Sequence, residues 1–220
     1  MVQKLRNFVF IFKMLGSKGI LTPLILDCYV LCTLAILKNM GIRTDEKGEE
    51  GKMLYVSYYD SPIGKITLGA REDVLVGAWF EGQKYYMDKI IEDFEEKKDL
   101  PVLDQAEYWL DRYFAGQDPD PEELPLAPAG SDFRKEVWKI IAKIPYGCTI
   151  TYGKIAKILA VKRGAKSISP QAVGGAVGHN PISVIIPCHR VIGSDGSLTG
   201  YAGGLEKKEW LLAHEEAHIR

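Results

Sequence analysis

The chain has 220 residues, 46% of them hydrophobic and 26% charged, which describes one or two globular domains with a packed core and excludes a low-complexity chain. Net charge is −1 but unevenly spread: residues 53–130 carry 7 Lys+Arg against 17 Asp+Glu, and residues 131–220 carry 13 against 7, so only the last part of the chain is suited to meet a polyanion. Four cysteines, Cys28, Cys32, Cys148 and Cys188, are too few and too scattered for a disulfide scaffold, and reduced thiols in the cytoplasm are expected.

Residues 1–52 differ from the rest. Val2 to Leu15 is basic and apolar, and Ile20 to Leu37 is apolar but interrupted by Pro23 and Asp27. A charge at the centre of a membrane helix costs about 2.5–3.5 kcal/mol. The segment therefore reads as an extension, either a packed helix or a stretch upstream of a start at Met53, rather than as a membrane anchor. Cys28 and Cys32 are helical neighbours without a second ligand pair, so no metal is expected.

From Met53 the apolar period becomes two. "MLYVSYYDSPIGKITLGA" predicts two strands joined near Asp60–Gly64, and "DVLVGAWF" a third. Met87, Ile90, Ile91 and Phe94 fall on one face of a predicted helix from Tyr85 to Lys97, and Leu103 to Phe114 reads as a second helix. Residues 119–130 hold four prolines and read as a linker between a domain at 53–118 and another at 131–220. In the latter, Asp132 is a candidate cap for a helix from Phe133 to Ile144, ended by Pro145 and Gly147, and Thr151 for one from Tyr152 to Ala160. Ser169–Pro170 opens a third helix, "PQAVGGAVG". Each interior glycine costs a helix up to about 1 kcal/mol relative to alanine. Either close approach of another large surface or tight packing on a neighbouring helix accounts for them. Two short helices and a turn, the second small-faced, have a helix-turn-helix shape.

The chemistry lies in residues 181–193, "PISVIIPCHRVIG". Polar Cys188, His189 and Arg190 between two apolar runs imply a polar cluster in the interior, which needs partners. Further on, "EWLLAHE" places Glu215 on a helix. A buried structural cysteine, a hydrolase using Cys188, His189 and Glu215, and a helix-turn-helix regulator all remain open at this level.

"IPCHRVI" resembles the signature of the O6-alkylguanine-DNA alkyltransferases, the methylated-DNA–protein-cysteine methyltransferases. The resemblance extends through "TYGKIA", "AVGGAVGHNP", "TGYAGGLEKKEWLLAHE" and, more loosely, "SPIGKITL", covering about residues 53–220. It implies an α+β architecture: a small ribonuclease-H-like antiparallel β-sheet domain and a mainly helical domain with a helix-turn-helix. It implies a DNA-repair methyltransferase that moves an alkyl group irreversibly from O6-alkylguanine, with O4-alkylthymine a second candidate substrate, to its own Cys188, once per molecule and without a cofactor. Cys188 matches the acceptor thiol, His189 the base acting through a water, Glu215 the carboxylate that orients it, and Tyr152 the tyrosine that donates a hydrogen bond to the leaving guanine. Tyr201, Ala202 and Gly203, with Gly200 and Gly204 beside them, match the loop around the flipped base, and Asn180 matches an asparagine that holds the turn before an active-site strand. Gln171, Ala172, Gly174, Gly175 and Ala176 match the minor-groove face of the recognition helix, and Arg190 is grouped with the substrate-binding residues. Many members have Arg where this chain has Gln171. The implied partner is double-stranded DNA containing O6-alkylguanine, met by a cytoplasmic monomer with no obligate protein partner. Members that bind lesions without repairing them carry another residue at the Cys188 position.

Overall fold

In the computed structural model, residues 53–87, 94–97 and 99–219 are described; the expectations for residues 1–52, including the Cys28–Cys32 pair, lie outside them. Strands β1 (Leu54–Ser61), β2 (Gly64–Arg71) and β3 (Val74–Phe80) form an antiparallel meander, and β4 (Phe94–Glu96) adds to the other edge of β1 in parallel. The turn from β1 to β2 is tight because Gly64 takes φ +118°, a region closed to other residues. Register and alternation bury both faces: Leu54 and Val56, the latter opposite Gly69, lie on one, and Ile66, Leu68, Ala70, Leu75, Ala78 and Phe80 on the other, all with 0% exposure. Helix α1 (Pro101–Phe114) covers the second of these faces, with Leu103, Ala106, Leu110 and Tyr113 at helical spacing and fully buried.

The predicted helix from Tyr85 to Lys97 is not formed as such. Residues 81–87 are turns, Tyr85 and Met87 have φ +61° and +47°, residues 88–93 lie outside the described set, and Phe94–Glu96 is the strand β4. Pairing of Leu54–Val56 with Phe94–Glu96 is a non-local gain that overrides the local period. The proline-rich stretch is no free spacer either. Asp120 caps a 3-10 turn at Pro121–Glu123 through a capping box, and the Trp109 indole donates to the Asp120 carbonyl at 3.0 Å. Leu75 then exchanges backbone bonds with Pro125 and Ala127 at 2.8 and 2.9 Å, so the segment runs as a strap along the β3 edge.

Beyond the strap come α2 (Asp132–Ile141), β5 (Ile150–Thr151), α3 (Tyr152–Arg163), α4 (Pro170–Gly178), a 3-10 turn at Cys188–Arg190, β6 (Val191–Ile192) and α5 (Leu205–Ala217). Ser131, not Asp132, caps α2, accepting from the Arg134 N–H. Thr151 and Ser169 cap α3 and α4, and Gly164 closes α3 in the left-handed conformation. The short parallel pair β5–β6, unforeseen from the sequence, ties the start of α3 to the residues just after Cys188. Residues 51–220 group as one compact unit. Within it, β3 meets the helical half directly: Ala78 donates to the Pro181 carbonyl at 2.9 Å and accepts from the Ser183 N–H at 2.8 Å.

Trp138 is fully buried, and its indole donates to the Ala176 carbonyl at 2.9 Å, joining α2 to α4. Trp138→Phe, which removes this bond and some volume, is expected to lower stability by about 1–3 kcal/mol in urea unfolding while leaving the secondary structure intact.

Candidate active site

Every residue from Ile182 to Cys188 is buried. The segment is not the expected strand. Only Ile182 bridges to Ala78, and the chain then turns twice. The Ile185 N–H donates to the Ser183 carbonyl at 2.9 Å around Val184, which has φ +69°; the Cys188 N–H donates to the Ile186 carbonyl at 2.7 Å around Pro187, with φ −79° and ψ 65°. The second is the common inverse γ-turn and the first its rare mirror image. A β-branched residue held there costs on the order of 1–3 kcal/mol.

Asn180 fills the bend. Its Nδ2 donates to the carbonyls of Ile182 and Ile186 at 3.1 and 2.8 Å and lies 3.1 Å from Cys188 Sγ, while its Oδ1 accepts from the Ile182 N–H at 3.1 Å. The asparagine thus reaches the sulfur itself, beyond the backbone role expected of it. Burial pushes the Cys188 thiol up; the Asn180 amide and Lys208 pull the other way without reversing it. The thiol is protonated at neutral pH.

His189 is fully buried. Burial pulls its pKa down and Glu215 pulls it up, with a net fall, so the imidazole is neutral at pH 7. Glu215 lies at about 2: its own burial opposes that, and the bonds from His189 and Arg190 outweigh the opposition. An ionised Glu215 Oε1 at 2.7 Å from His189 Nε2 requires the proton on Nε2. The basic nitrogen is therefore Nδ1, which is buried and makes no hydrogen bond among the described residues.

Glu215 holds more than the histidine. Arg190 grips it with Nε at 3.0–3.1 Å and Nη2 at 3.0 Å, and Tyr113 donates at 2.8 Å from α1; the Gly147 N–H donates at 3.0 Å from the loop after α2. Arg190 also donates to the Ile144 carbonyl at 2.5 Å and lies over the Tyr146 ring. Arg190 was grouped with the DNA-binding residues on sequence; its guanidinium faces inward and is committed to Glu215, so that placement is corrected. The fork matches a carboxylate, which is why arginine sits there.

Of the residues expected around the base, Tyr201 and Tyr152 lie close enough to Cys188 to feel its charge. Tyr201 is buried, its pKa raised by burial and by the nearby Cys188. Tyr152, at the first turn of α3, donates its hydroxyl to the Thr199 carbonyl at 2.8 Å. A side chain at Gly203 would meet the Tyr201 ring at 2.9 Å and Phe80 at 3.2 Å, so this glycine is needed for packing. On α4, Gln171, Ala172 and Gly175 are exposed and Gly174 half-buried, whereas Ala176 is buried and drops out of the expected DNA face. Added Cβ atoms at Gly175 and Gly178 would meet nothing within 4 Å among the described residues, so the described neighbouring helices do not explain those glycines. Arg163, at the end of α3, is paired with Glu136 at 2.9 Å.

Two residues of the cluster were not foreseen. Tyr113 looked like an ordinary core aromatic. Lys208 is fully buried, with its ammonium bonded to the carbonyls of Val191 and Thr199 at 2.6 and 2.7 Å and its pKa lowered to about 8, mainly by burial. Its signal was present: Lys208, Leu211 and Glu215 lie three and seven residues apart, the buried face of α5. No group of three or more His, Cys, Asp or Glu among the described residues is arranged to hold a metal.

Glu215→Gln removes the charge that compensates Arg190 in the interior. It is expected to destabilise by about 3–5 kcal/mol near pH 7. Because the Glu215 pKa is lowered on folding, its contribution is complete above its ordinary 4.5 and is lost as pH falls toward about 2. Urea unfolding across that range should find the gap between parent and variant narrowing with acidity.

A buried thiol with a histidine and an oriented carboxylate beside it is shared by many enzymes, and comparison with known proteins separates them. Residues 132–217 match the family model "6-O-methylguanine DNA methyltransferase, DNA binding domain", and residues 54–128 match "6-O-methylguanine DNA methyltransferase, ribonuclease-like domain". A methylated-DNA–protein-cysteine methyltransferase of Methanosarcina barkeri is 44% identical over 167 residues, 76% of this chain and 100% of that protein. That of Haemophilus influenzae is 37% identical over 74% of this chain and 87% of its own length. The crystal structure of Mycobacterium tuberculosis O6-methylguanine methyltransferase superposes with a TM-score of 0.64 at 38% identity, covering 76% of this chain and 96% of the other. Mycobacterium tuberculosis OGT in complex with DNA gives 0.63 at 38%, covering 75% and 94%. With both halves matched in order and the thiol cluster assembled at their junction, the chain belongs to the methylated-DNA–protein-cysteine methyltransferase family.

Proposed function

We propose that this protein repairs alkylated DNA by moving the alkyl group of O6-alkylguanine onto its own Cys188, one group per molecule, as a methylated-DNA–protein-cysteine S-methyltransferase. The observation that carries this is the buried Cys188 thiol, 3.1 Å from the Asn180 amide and next in sequence to a histidine whose tautomer Glu215 sets. In the reaction the sulfur attacks the alkyl carbon, an S–C bond forms, the C–O6 bond breaks and its electrons remain on guanine. The thiol proton passes through a water to His189 Nδ1, while Glu215 steadies the imidazolium that results. Tyr152 shifts its hydroxyl from the Thr199 carbonyl to the leaving base. No cofactor takes part.

O6 is inside the duplex, so the nucleotide must be turned out, at a cost of a few kcal/mol that falls for a badly paired lesion. The exposed small residues of α4 let the helix enter the minor groove, Tyr201, Ala202 and Gly203 receive the base, and Gln171 fills the gap it leaves. The two stretches then divide the work, residues 53–118 serving as a frame and residues 131–220 binding DNA and carrying the reaction. No described helix is long and apolar enough to cross a membrane, and a cytoplasmic location gives access to DNA and keeps the thiol reduced.

Incubation with a duplex containing O6-methylguanine, followed by intact and peptide mass measurement, should show one CH2 gained on the Cys188 peptide, saturating at one equivalent and absent in Cys188→Ser. Continued turnover with an unmodified thiol would instead indicate a hydrolase. Gln171→Arg adds a cation at the groove and should bind DNA more tightly, with a salt dependence steeper by about one ion in titrations at several salt concentrations.

A further inference from the structure

After β3 the chain runs through turns from Glu81 to Met87, along the side where the helical half docks. Gln83 lies within this segment and is buried. Its Oε1 accepts two hydrogen bonds, from the Phe80 N–H at 2.9 Å and from the Ser183 hydroxyl at 3.2 Å. One bond holds Gln83 to its own strand. The other reaches across to the segment that ends in Cys188.

Ser183 is the first residue of the γ-turn around Val184, and its carbonyl closes that turn. A valine at φ +69° stays there only when its neighbours leave no alternative. On the Cys188 side the constraint is Asn180, through the Ile186 carbonyl and the sulfur. On the opposite side it comes from the sheet half. The two backbone bonds to Ala78 fix where the segment lies along β3, and the Gln83 bond fixes the Ser183 side chain. Adjacent residues hold other parts of the same site: the Lys84 N–H donates to the Ala202 carbonyl at 2.9 Å, and the Tyr85 ring stacks at 4.0 Å on His179, which ends α4.

We propose that Gln83 is a positioning residue for alkyl transfer: by holding Ser183 it keeps the Val184 turn closed and so sets where the Asn180 amide meets the Cys188 sulfur. Its side chain bonds to Phe80 and Ser183 and acts on the sulfur only through them. The proposal rests on the alkyl-transfer reading of Cys188.

The test uses the full chain and a duplex containing O6-methylguanine, with single-turnover rates at saturating duplex, duplex Kd and rate against pH measured separately. Gln83→Met keeps the volume and removes the acceptor. Gln83→Glu keeps an acceptor oxygen and gives up Nε2, which makes no hydrogen bond among the described residues; buried there, its carboxyl is expected in the protonated, neutral form. Gln83→Met is expected to slow transfer about tenfold, since a small misplacement of a reacting group is costly, with Kd within about twofold. The pH at which its rate is half-maximal should rise, because the Asn180 amide helps to hold the thiol pKa down. Gln83→Glu should recover most of the rate and the parental midpoint. Ser183→Ala, which removes the donor, should repeat the Gln83→Met behaviour, and it decides the matter if Gln83→Met does not fold. Parental rates in Gln83→Met or in Ser183→Ala overturn the proposal, as do Met and Glu variants equally slowed with an unmoved midpoint. A parent protein that transfers nothing overturns the alkyl-transfer reading and this proposal together, whereas an active parent with indifferent variants overturns this proposal alone.

Discussion

The Glu215 carboxylate, buried on α5, accepts from His189, Arg190, Tyr113 and the Gly147 backbone, and so draws four parts of the chain to one point. An isolated carboxylate would be expelled from such an interior or protonated. Here the Arg190 fork supplies the opposite charge and the tyrosine and backbone N–H satisfy the remaining lone pairs, so the group stays ionised well below neutral pH. Everything chemically useful at Cys188 depends on that charge: it sets which nitrogen of His189 is protonated and holds the 3-10 turn that contains the cysteine.

The sulfur itself is fixed by a different mechanism. Between Pro181 and Pro187 there is no regular element to hold the chain, and the two consecutive γ-turns are bounded by Asn180 from one half and by β3 and Gln83 from the other. The sheet half, which supplies Tyr113 to Glu215 but no reacting group, thereby helps define the geometry in which the proposed chemistry occurs. Packing against it is what makes a strained valine tolerable.

Much of this was legible in the chain. The alternation of Leu54 to Phe80, the amphipathic α1, the caps Thr151 and Ser169, and the polar triplet Cys188–His189–Arg190 between apolar runs are local signals, and local signals survive folding. The failures share a non-local cause. Phe94–Glu96 fits a helical period but pairs with β1. Proline-rich residues 119–130 look like a spacer, yet Leu124 and the Leu75 bonds bind them to the sheet. Arg190 is legible as part of an interior polar cluster, but its partner there, Glu215, lies 25 residues away, and without it the residue falls among the substrate-binding group. Lys208 carried a readable sign, its spacing from Leu211 and Glu215, but a lysine is so seldom fully buried that the sign is easily passed over.

Burial of Cys188 has a further consequence for a protein that reacts once. Oxidants and small electrophiles attack thiolates that solvent can reach. Cys188 offers neither charge nor access at rest, while Cys148 is exposed on a loop. Of the two described cysteines, chance chemistry therefore falls first on Cys148, and Cys188 is spared until a base carrying the right carbon is brought to it.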